Sequence, residues 1–193
     1  KPVSLIEEQL FQDMSDDIFR FLWDEDPYWE VLSSPPCKFP QSSISDADVH
    51  VLLERNLISE ISLEDIPIGC VGVVFCVAEE SKQRRRLVHD TLTPNVEISA
   101  DPSVRFTPVS ELRSHVNQFN YAATFDFASF YYQFGLGPKV RKYFSFRVGN
   151  KFYCMNRLPM GFKMACAIAQ KVSTFLSRSP FDVKVEVYID NVM

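Results

Sequence analysis

Residues 143–157 constrain the fold of this chain most strongly, because their pattern predicts a β-hairpin. Aromatic and β-branched residues flank Gly149 and Asn150, a dipeptide that favours a two-residue turn between antiparallel strands. Other segments show helical periodicity, and several predicted strands are joined by tight turns. This mixture predicts an α+β fold with a largely antiparallel sheet packed on helices.

Helices are predicted where a capping residue precedes an apolar stripe of helical period. Five helices are predicted, which start at Ser4, Asp16, Ser45 and Thr107 or cover residues 163–176. Ser4 forms a capping box with Glu7, and Ser45 has Asp48 at the third position of its helix. Thr107 is the N-cap of its helix, with Pro108 as the first helical residue. The helices after Ser45 and Thr107 are each expected to bury one apolar face. These faces comprise Val49, Leu52, Leu53 and Leu57 in the first helix and Val109, Leu112, Val116 and Phe119 in the second.

Strands are predicted from continuous apolar runs and from alternation of apolar with polar residues. Residues 69–77 form an apolar run that predicts a buried strand, and Leu87 and Val88 form its partner, so a hairpin with a basic tip results. Residues 122–127 are predicted as another strand. In residues 183–190 the alternation places Tyr188 and Asp190 on one face of a final strand.

The composition is that of a globular protein of 193 residues, one domain or two small lobes, with 46% hydrophobic residues and a net charge of −5. This acidic balance argues against a dedicated nucleic-acid-binding protein, although residues 82–86 form a local basic patch. The 5 cysteines contain no CxxC pair, which argues against a disulfide framework or zinc site and favours a reducing, intracellular compartment. No apolar run approaches the roughly 20 residues of a membrane span, and the first residues lack a signal-peptide pattern.

Two carboxylates stand out because each lies in a strongly apolar strand. Asp126 lies in the string TFDFASF, and Asp190 closes the last predicted strand. Such a carboxylate is costly unless it is hydrogen-bonded, ion-paired or bound to a cation. Two of them side by side would repel each other unless a divalent metal ion such as Mg²⁺ bridged them. The alternative is that each one caps a strand end or pairs with a basic neighbour.

Four strings along the chain together resemble the polymerase core of reverse transcriptases. They are FDFASFYYQ (125–133), KYFSF (142–146), LPMGFKMACAIAQ (158–170) and YID (188–190), and they occur in the order of that family. The third string aligns without a gap to the family pattern LPxGxxxxPxxFQ. Upstream, residues 75–90 are similar to the family's fingers hairpin, so the resemblance covers residues ~70 to 193.

The resemblance implies a fingers and palm portion that is truncated before the thumb. It would comprise a helical N-terminal region (1–69), a fingers-like hairpin with a connecting helix (70–120) and a palm core (121–193). It also implies a two-metal site for Mg²⁺, with Asp126 and Asp190 as catalytic acids and Asn191 in the position of a third metal ligand. Nucleotide-binding roles would fall to Arg86, Tyr131, Gln133, Met160, Gly161, Lys163, Gln170 and Tyr188. Without the resemblance, Arg86 would be a solvated turn residue, Tyr131 a core aromatic residue and Gly161 an ordinary turn glycine.

The chain also departs from the family pattern. Asn191 replaces an acid and so removes one negative charge from the metal site. Glu79 occupies the position of a phosphate-binding lysine, where it would repel a triphosphate unless Arg84 or Arg85 compensates. Leu92 replaces an arginine, and Cys166 replaces a proline.

The last strand is also expected to lack its partner. We expect the chain to turn at Asn191 and Val192, with the returning strand missing. The sheet edge beside residues 183–190 would then be open and covered by a protein partner.

Two hypotheses of function follow. The first is a retroelement-derived fingers and palm module that is catalytically impaired and serves as a structural subunit of a larger assembly, for example a ribonucleoprotein. The alternative is an active RNA-directed DNA polymerase fragment that binds an RNA template and a DNA primer and obtains its thumb from another chain. A third reading, an unrelated palm-like or ferredoxin-like domain, is disfavoured by the ordered strings.

Overall fold

The computed structural model describes residues 39–67, 69–97, 106–177, 185–189 and 191–193. The helices predicted from Ser4 and Asp16, and the acid Asp190, lie outside the described residues. The chain divides into two compact units. Unit 1 comprises residues 1–100 and 131–162, and unit 2 comprises residues 101–130 and 163–193.

The described residues mix helices with short strands. The α-helices are α1 (Asp46–Glu54), α2 (Leu92–Glu97), α3 (Val109–Val116), α4 (Pro138–Arg141) and α5 (Ala165–Leu176). The strands are β1 (Ile58–Glu60), β2 (Val71–Gly72), β3 (Val74–Glu79), β4 (Arg84–His89), β5 (Phe125–Asp126), β6 (Ser145–Val148), β7 (Lys151–Met155), β8 (Val187–Tyr188) and β9 (Asn191–Val192). Short 3₁₀ turns cover Leu63–Asp65, Glu80–Lys82, Phe130–Gln133 and Lys142–Phe144. None of the described helices is long and apolar enough to cross a membrane.

The described strands form three small sheets rather than one, and their pairing is largely antiparallel, as predicted. Unit 1 contains a four-stranded sheet in the order β1-β7-β6-β2 and the separate pair β3-β4. The pair β2-β6 is parallel, and the other pairs are antiparallel. Unit 2 contains a three-stranded antiparallel sheet in the order β5-β9-β8.

The hairpin predicted in residues 143–157 is confirmed. Strands β6 and β7 pair in antiparallel register around Gly149 and Asn150. The core of unit 1 lies beside this hairpin. Its most deeply buried side chains are Ile58, Val74, Val140, Phe144, Phe146, Cys154, Met155 and Leu158.

Strand β2 approaches the end of β4 closely at Gly72. A Cβ atom at this position would lie 2.4 Å from the carbonyl oxygen of Asp90 and 3.2 Å from Nε2 of His89. Only glycine allows this approach without a backbone shift. The buried ring of His89 lies edge-on to Phe144 and Phe146, with ring centroids 6.2 and 6.0 Å away.

Helix α1 begins as predicted. The Ser45 hydroxyl accepts a hydrogen bond from the Asp48 backbone N–H at 3.1 Å, and Oδ2 of Asp48 accepts one from the Ser45 backbone N–H at 3.0 Å. These two reciprocal bonds form the capping box. Val49 and Leu52 are buried, whereas Leu53 is exposed rather than part of the buried face.

The basic hairpin is also confirmed, with two corrections. Residues 69–77 do not form one buried strand, because β2 ends at Gly72 and side chains of β3 alternate between two faces, leaving Phe75 and Val77 exposed. The arginines lie within β4 rather than at the tip, which is formed by the 3₁₀ turn Glu80–Lys82 and Gln83 with φ 47°.

Helix α3 begins one residue later than predicted and buries no residue. Its N-cap is Pro108, and the Thr107 hydroxyl bonds the Glu186 carboxylate instead of the helix backbone. The predicted apolar face is wrong, since Val109 is 67% exposed and Phe119 is 50% exposed.

Helix α5 lies within the predicted segment and is largely buried. Small residues such as Ala165, Ala167 and Ala169 are buried along it, which allows close backbone packing.

The last strand ends earlier than predicted. Ile189 has a φ of 57°, so the alternation stops there and the chain turns between Tyr188 and Asn191. The returning strand is therefore not wholly missing, since its first residues form β9. It lies in the centre of the unit 2 sheet, and β5 and β8 are the edges among the described strands. Of the predicted strand at residues 122–127, only β5 forms.

Candidate functional site

The sheet of unit 2 places three predicted site residues in one row. The register pairs Tyr188 with Asn191 and Asn191 with Asp126 across β8, β9 and β5. Directly opposed residues in an antiparallel sheet share a face, with Cβ atoms roughly 5 Å apart. All three side chains of this polar row are exposed, and the Tyr188 ring packs against Phe106 with centroids 4.9 Å apart.

The polar row supplies one carboxylate and one neutral amide. Oxygen atoms of both kinds suit Mg²⁺, but together they offer a single negative charge. No group of three or more His, Cys, Asp or Glu side chains that could hold a metal ion occurs among the described residues. A tight site would therefore require a further acid, and Asp190 was the residue predicted for that role.

The opposite face of this sheet is apolar and lines a cavity of about 430 Å³. Phe125 and Val192, which form the neighbouring cross-strand pair, contribute to its wall together with Val116 and Phe119. One side of the wall carries a close contact between the side chains of His115 and Glu186.

The His115–Glu186 pair links helix α3 to the segment before β8. Nδ1 of His115 lies 2.6 Å from Oε1 of Glu186, and the Thr107 hydroxyl donates to Oε2 of Glu186 at 2.9 Å. Sequence reasoning missed this network, because its members lie more than 70 residues apart. The only signal in the sequence was an acid between Val185 and Val187.

Gln170 is buried on helix α5 and bonded to the backbone of the final hairpin. Its Nε2 donates to the carbonyl oxygen of Val187 at 2.9 Å, and its Oε1 accepts from the backbone N–H of Ile189 at 2.6 Å. The Ser173 hydroxyl, also buried, donates to the carbonyl oxygen of Ile189. The amide predicted to bind a nucleotide therefore has backbone partners in the structure.

In unit 1, Arg86 forms an ion pair with Glu79. Its Nη2 lies 2.5 Å from Oε1 of Glu79 on the same face of the β3-β4 hairpin. The guanidinium of Arg85 lies 2.7 Å from Oδ1 of Asp48. Hydrogen bonds from Ser45, followed by the charge of Arg85, lower the pKa of Asp48. Arg85 therefore pairs with Asp48, and Arg86 pairs with Glu79, whereas compensation of Glu79 by Arg84 or Arg85 in triphosphate binding stays a prediction.

Tyr131 and Gln133 lie in the 3₁₀ turn Phe130–Gln133, with Tyr131 half-buried and Gln133 exposed. Their neighbour Tyr132 has a structural role that the sequence did not indicate. Its hydroxyl donates to the carbonyl oxygen of Leu87 at 3.2 Å, and burial raises its pKa.

Gly161 has a φ of 97°, a conformation that strongly favours glycine. Its carbonyl oxygen accepts a hydrogen bond from Nδ2 of Asn95 at 2.9 Å, and Cβ at this position would lie 3.4 Å from Oγ1 of Thr91. Met160 beside it is half-buried, as is Lys163 in unit 2. The glycine therefore shapes a sharp turn after the deeply buried Leu158.

No protein-family model matches the chain. No curated protein matches it either. Solved structures of foamy virus protease-reverse transcriptases do match over 100% of this chain. A complex with double-stranded DNA has a TM-score of 0.60 at 13% identity, and a second complex with double-stranded DNA has 0.61 at 15%. A mutant of the prototype foamy virus enzyme has 0.62 at 18%.

These comparisons define the class of fold. The described residues have a mixed α/β, reverse-transcriptase-like fold with small antiparallel sheets. At 13–18% identity the likeness shows the fold alone. This chain spans 29–45% of the length of the foamy virus chains that it matches.

Proposed function

We propose that the chain is a fingers and palm module derived from a retroelement reverse transcriptase, with an impaired metal site, that serves as a structural subunit of a larger assembly. The observation that carries this proposal is the pairing of Asp126 with Asn191. Two Mg²⁺ ions carry a charge of +4, and a neutral amide in the centre of the row lowers the negative charge that faces them.

The unit 2 surface supports the structural role. Val109, Val116, Phe119, Tyr121 and Phe125 are 40–93% exposed, and several of them border the apolar cavity. Exposed apolar surface of this kind commonly marks a protein interface. Among the described strands, β5 and β8 are the edges of this sheet, to which another chain could add. We therefore propose a protein partner at this sheet.

The alternative is an active RNA-directed DNA polymerase fragment that uses Mg²⁺, an RNA template and a DNA primer. The observation that favours it is the polar row itself, in which Tyr188 and Asp126 lie on one exposed face. Two of the matching solved structures hold double-stranded DNA, which makes nucleic-acid binding plausible for this fold.

Two further parts of the proposal, the domain division and the cellular location, rest on the sequence alone. The division into residues 1–69, 70–120 and 121–193 stays a prediction, and we propose an intracellular, reducing location. Within the described part of the chain, Cys76 and Cys154 have free thiols, which is compatible with that location.

Primer extension discriminates the two functions. The purified chain is incubated with an RNA template, a DNA primer, deoxynucleotides and Mg²⁺ or Mn²⁺. The structural role predicts no template-dependent extension by either the native chain or the Asp126→Ala variant. Extension by the native chain that disappears in Asp126→Ala would establish the alternative instead.

Replacing Glu79 with glutamine is expected to strengthen the binding of a nucleoside triphosphate about fivefold. The substitution removes the negative charge 2.5 Å from the Arg86 guanidinium, which then faces a phosphate group without competition. The charge of a partly exposed ion pair of this kind is worth about 1 kcal/mol or less, which corresponds to this factor. Anisotropy of a fluorescent triphosphate analogue at low salt measures the affinity.

Glu60→Gln is the matched control, since Glu60 is exposed and pairs with Lys151 at 2.9 Å in the same unit. It should leave triphosphate binding unchanged, and Glu79→Gln/Arg86→Gln should lose the gain. An equal increase in both single glutamine variants would show a general charge effect and contradict the role given to Arg86.

A further inference from the structure

Ile189 has a backbone conformation that its side chain disfavours. Its φ of 57° lies in the left-handed region, where a β-branched residue is a genuine outlier. Such a conformation persists only where the surrounding structure holds it. The residue lies between β8 and β9, next to the polar row of unit 2.

Helix α5 supplies the contacts that hold this residue. Gln170 holds the backbone on the N-terminal side of Ile189, through the carbonyl oxygen of Val187 and the N–H of Ile189, and Ser173 binds the carbonyl oxygen of Ile189. Gln170 and Ser173 are one helical turn apart and therefore lie on the same face of α5. Gln170 is 8% exposed and Ser173 0%, so water does not readily replace either contact.

We propose that Gln170 and Ser173 are positioning residues that hold the hairpin of β8 and β9 in its strained form. By fixing the backbone at Val187 and Ile189, they determine how the chain reverses and where Asn191 lies opposite Asp126. Whether that placement matters for a metal ion rests on the proposed function. The stabilisation of the hairpin by Gln170 and Ser173 is independent of the proposed function, and it can be measured without metal or nucleic acid.

If Gln170 and Ser173 are positioning residues, their effect on the hairpin depends on the backbone strain at Ile189, whereas the effect of an ordinary packing contact does not. Glycine adopts a φ near 57° at no steric cost. In an Ile189→Gly background the hairpin should therefore keep its form without help from α5. An ordinary packing contact would matter equally in both backgrounds.

Hydrogen exchange at the hairpin amides tests the proposal in the full chain. Glu186 and Met193 donate to each other's carbonyl oxygens at 2.8 Å, so their protection reports closure of the hairpin. Gln170→Met should lower this protection about tenfold in the native background. In the Ile189→Gly background the same substitution should lower it threefold or less. Ser173→Ala provides a second variant, with an expected loss of about threefold that also shrinks in the glycine background.

Lys171→Met is the matched control, since Lys171 is exposed on the same helix. It should leave the protection of both amides unchanged. Unchanged protection in Gln170→Met and Ser173→Ala would overturn the proposal. An equal loss in the isoleucine and glycine backgrounds would also overturn it, because the two residues would then act by packing alone. The absence of polymerase activity affects neither outcome.

Discussion

Replacing Phe144 with alanine is expected to lower the free energy of unfolding by about 3–5 kcal/mol. The side chain is 0% exposed and packs edge-on against Phe162, with ring centroids 5.0 Å apart, and beside His89. Its removal loses the transfer free energy of an aromatic ring and leaves a cavity in the core of unit 1. Urea unfolding at neutral pH, followed by circular dichroism, measures the change.

Phe75→Ala is the matched control in the same unit. Phe75 is 37% exposed on the β3-β4 hairpin, so its truncation should cost about 1 kcal/mol or less. Equal losses in the two variants would show that the core does not lie beside the β6-β7 hairpin.

Acidification is expected to destabilise the chain through His89. Burial lowers the pKa of His89 from 6.5 to about 4, and the Ser145 backbone and the charge of Asp90 offset only part of that effect. The unfolded chain therefore binds a proton at a higher pH than the folded chain does. Stability should be complete above pH 6.5 and fall progressively towards pH 4, by up to about 3 kcal/mol.

Urea unfolding between pH 7.5 and roughly 4 measures this loss, and His89→Phe separates it from other titrations. The phenyl ring would lie beside Phe144 and Phe146 and cannot be protonated, so the variant should lose about 3 kcal/mol less over this range. His50→Gln should behave like the native chain, because the His50 side chain is 73% exposed. The same acid sensitivity in His89→Phe and the native chain would contradict the assignment.

Features with a local cause were predictable from the sequence. The turn at Gly149 and Asn150, the capping box of Ser45 with Asp48 and the span of α5 each depend on residues close in the chain. The local preferences of these residues agree with their packing in the folded chain, so the sequence pattern alone was sufficient to predict these features.

Features that depend on distant partners were not predictable. The periodicity of α3 was correct, but whether its apolar side chains are covered depends on what lies beside the helix. Thr107 fits an N-cap by type, yet its hydroxyl bonds Glu186, which is 79 residues away. The turn at Ile189 contradicts local preference, and the contacts that hold it come from α5.

In the candidate site, too, local features were predictable from the sequence and contacts between distant residues were not. The sequence predicted Asp126 and Asn191 as site residues, but not that they would be direct cross-strand partners. It predicted that Glu79 would repel a phosphate, but not that Arg86 itself would pair with Glu79. Both results depend on strand register, which only the folded sheets define.

Binding of Mn²⁺, measured by electron paramagnetic resonance, tests most directly whether Asn191 impairs the metal site. We expect the native chain to bind Mn²⁺ about tenfold more weakly than Asn191→Asp, because the variant adds a negative charge beside Asp126. Adding Asp126→Ala to Asn191→Asp should abolish the gain. Binding by the native chain that is as tight as in Asn191→Asp would contradict the account.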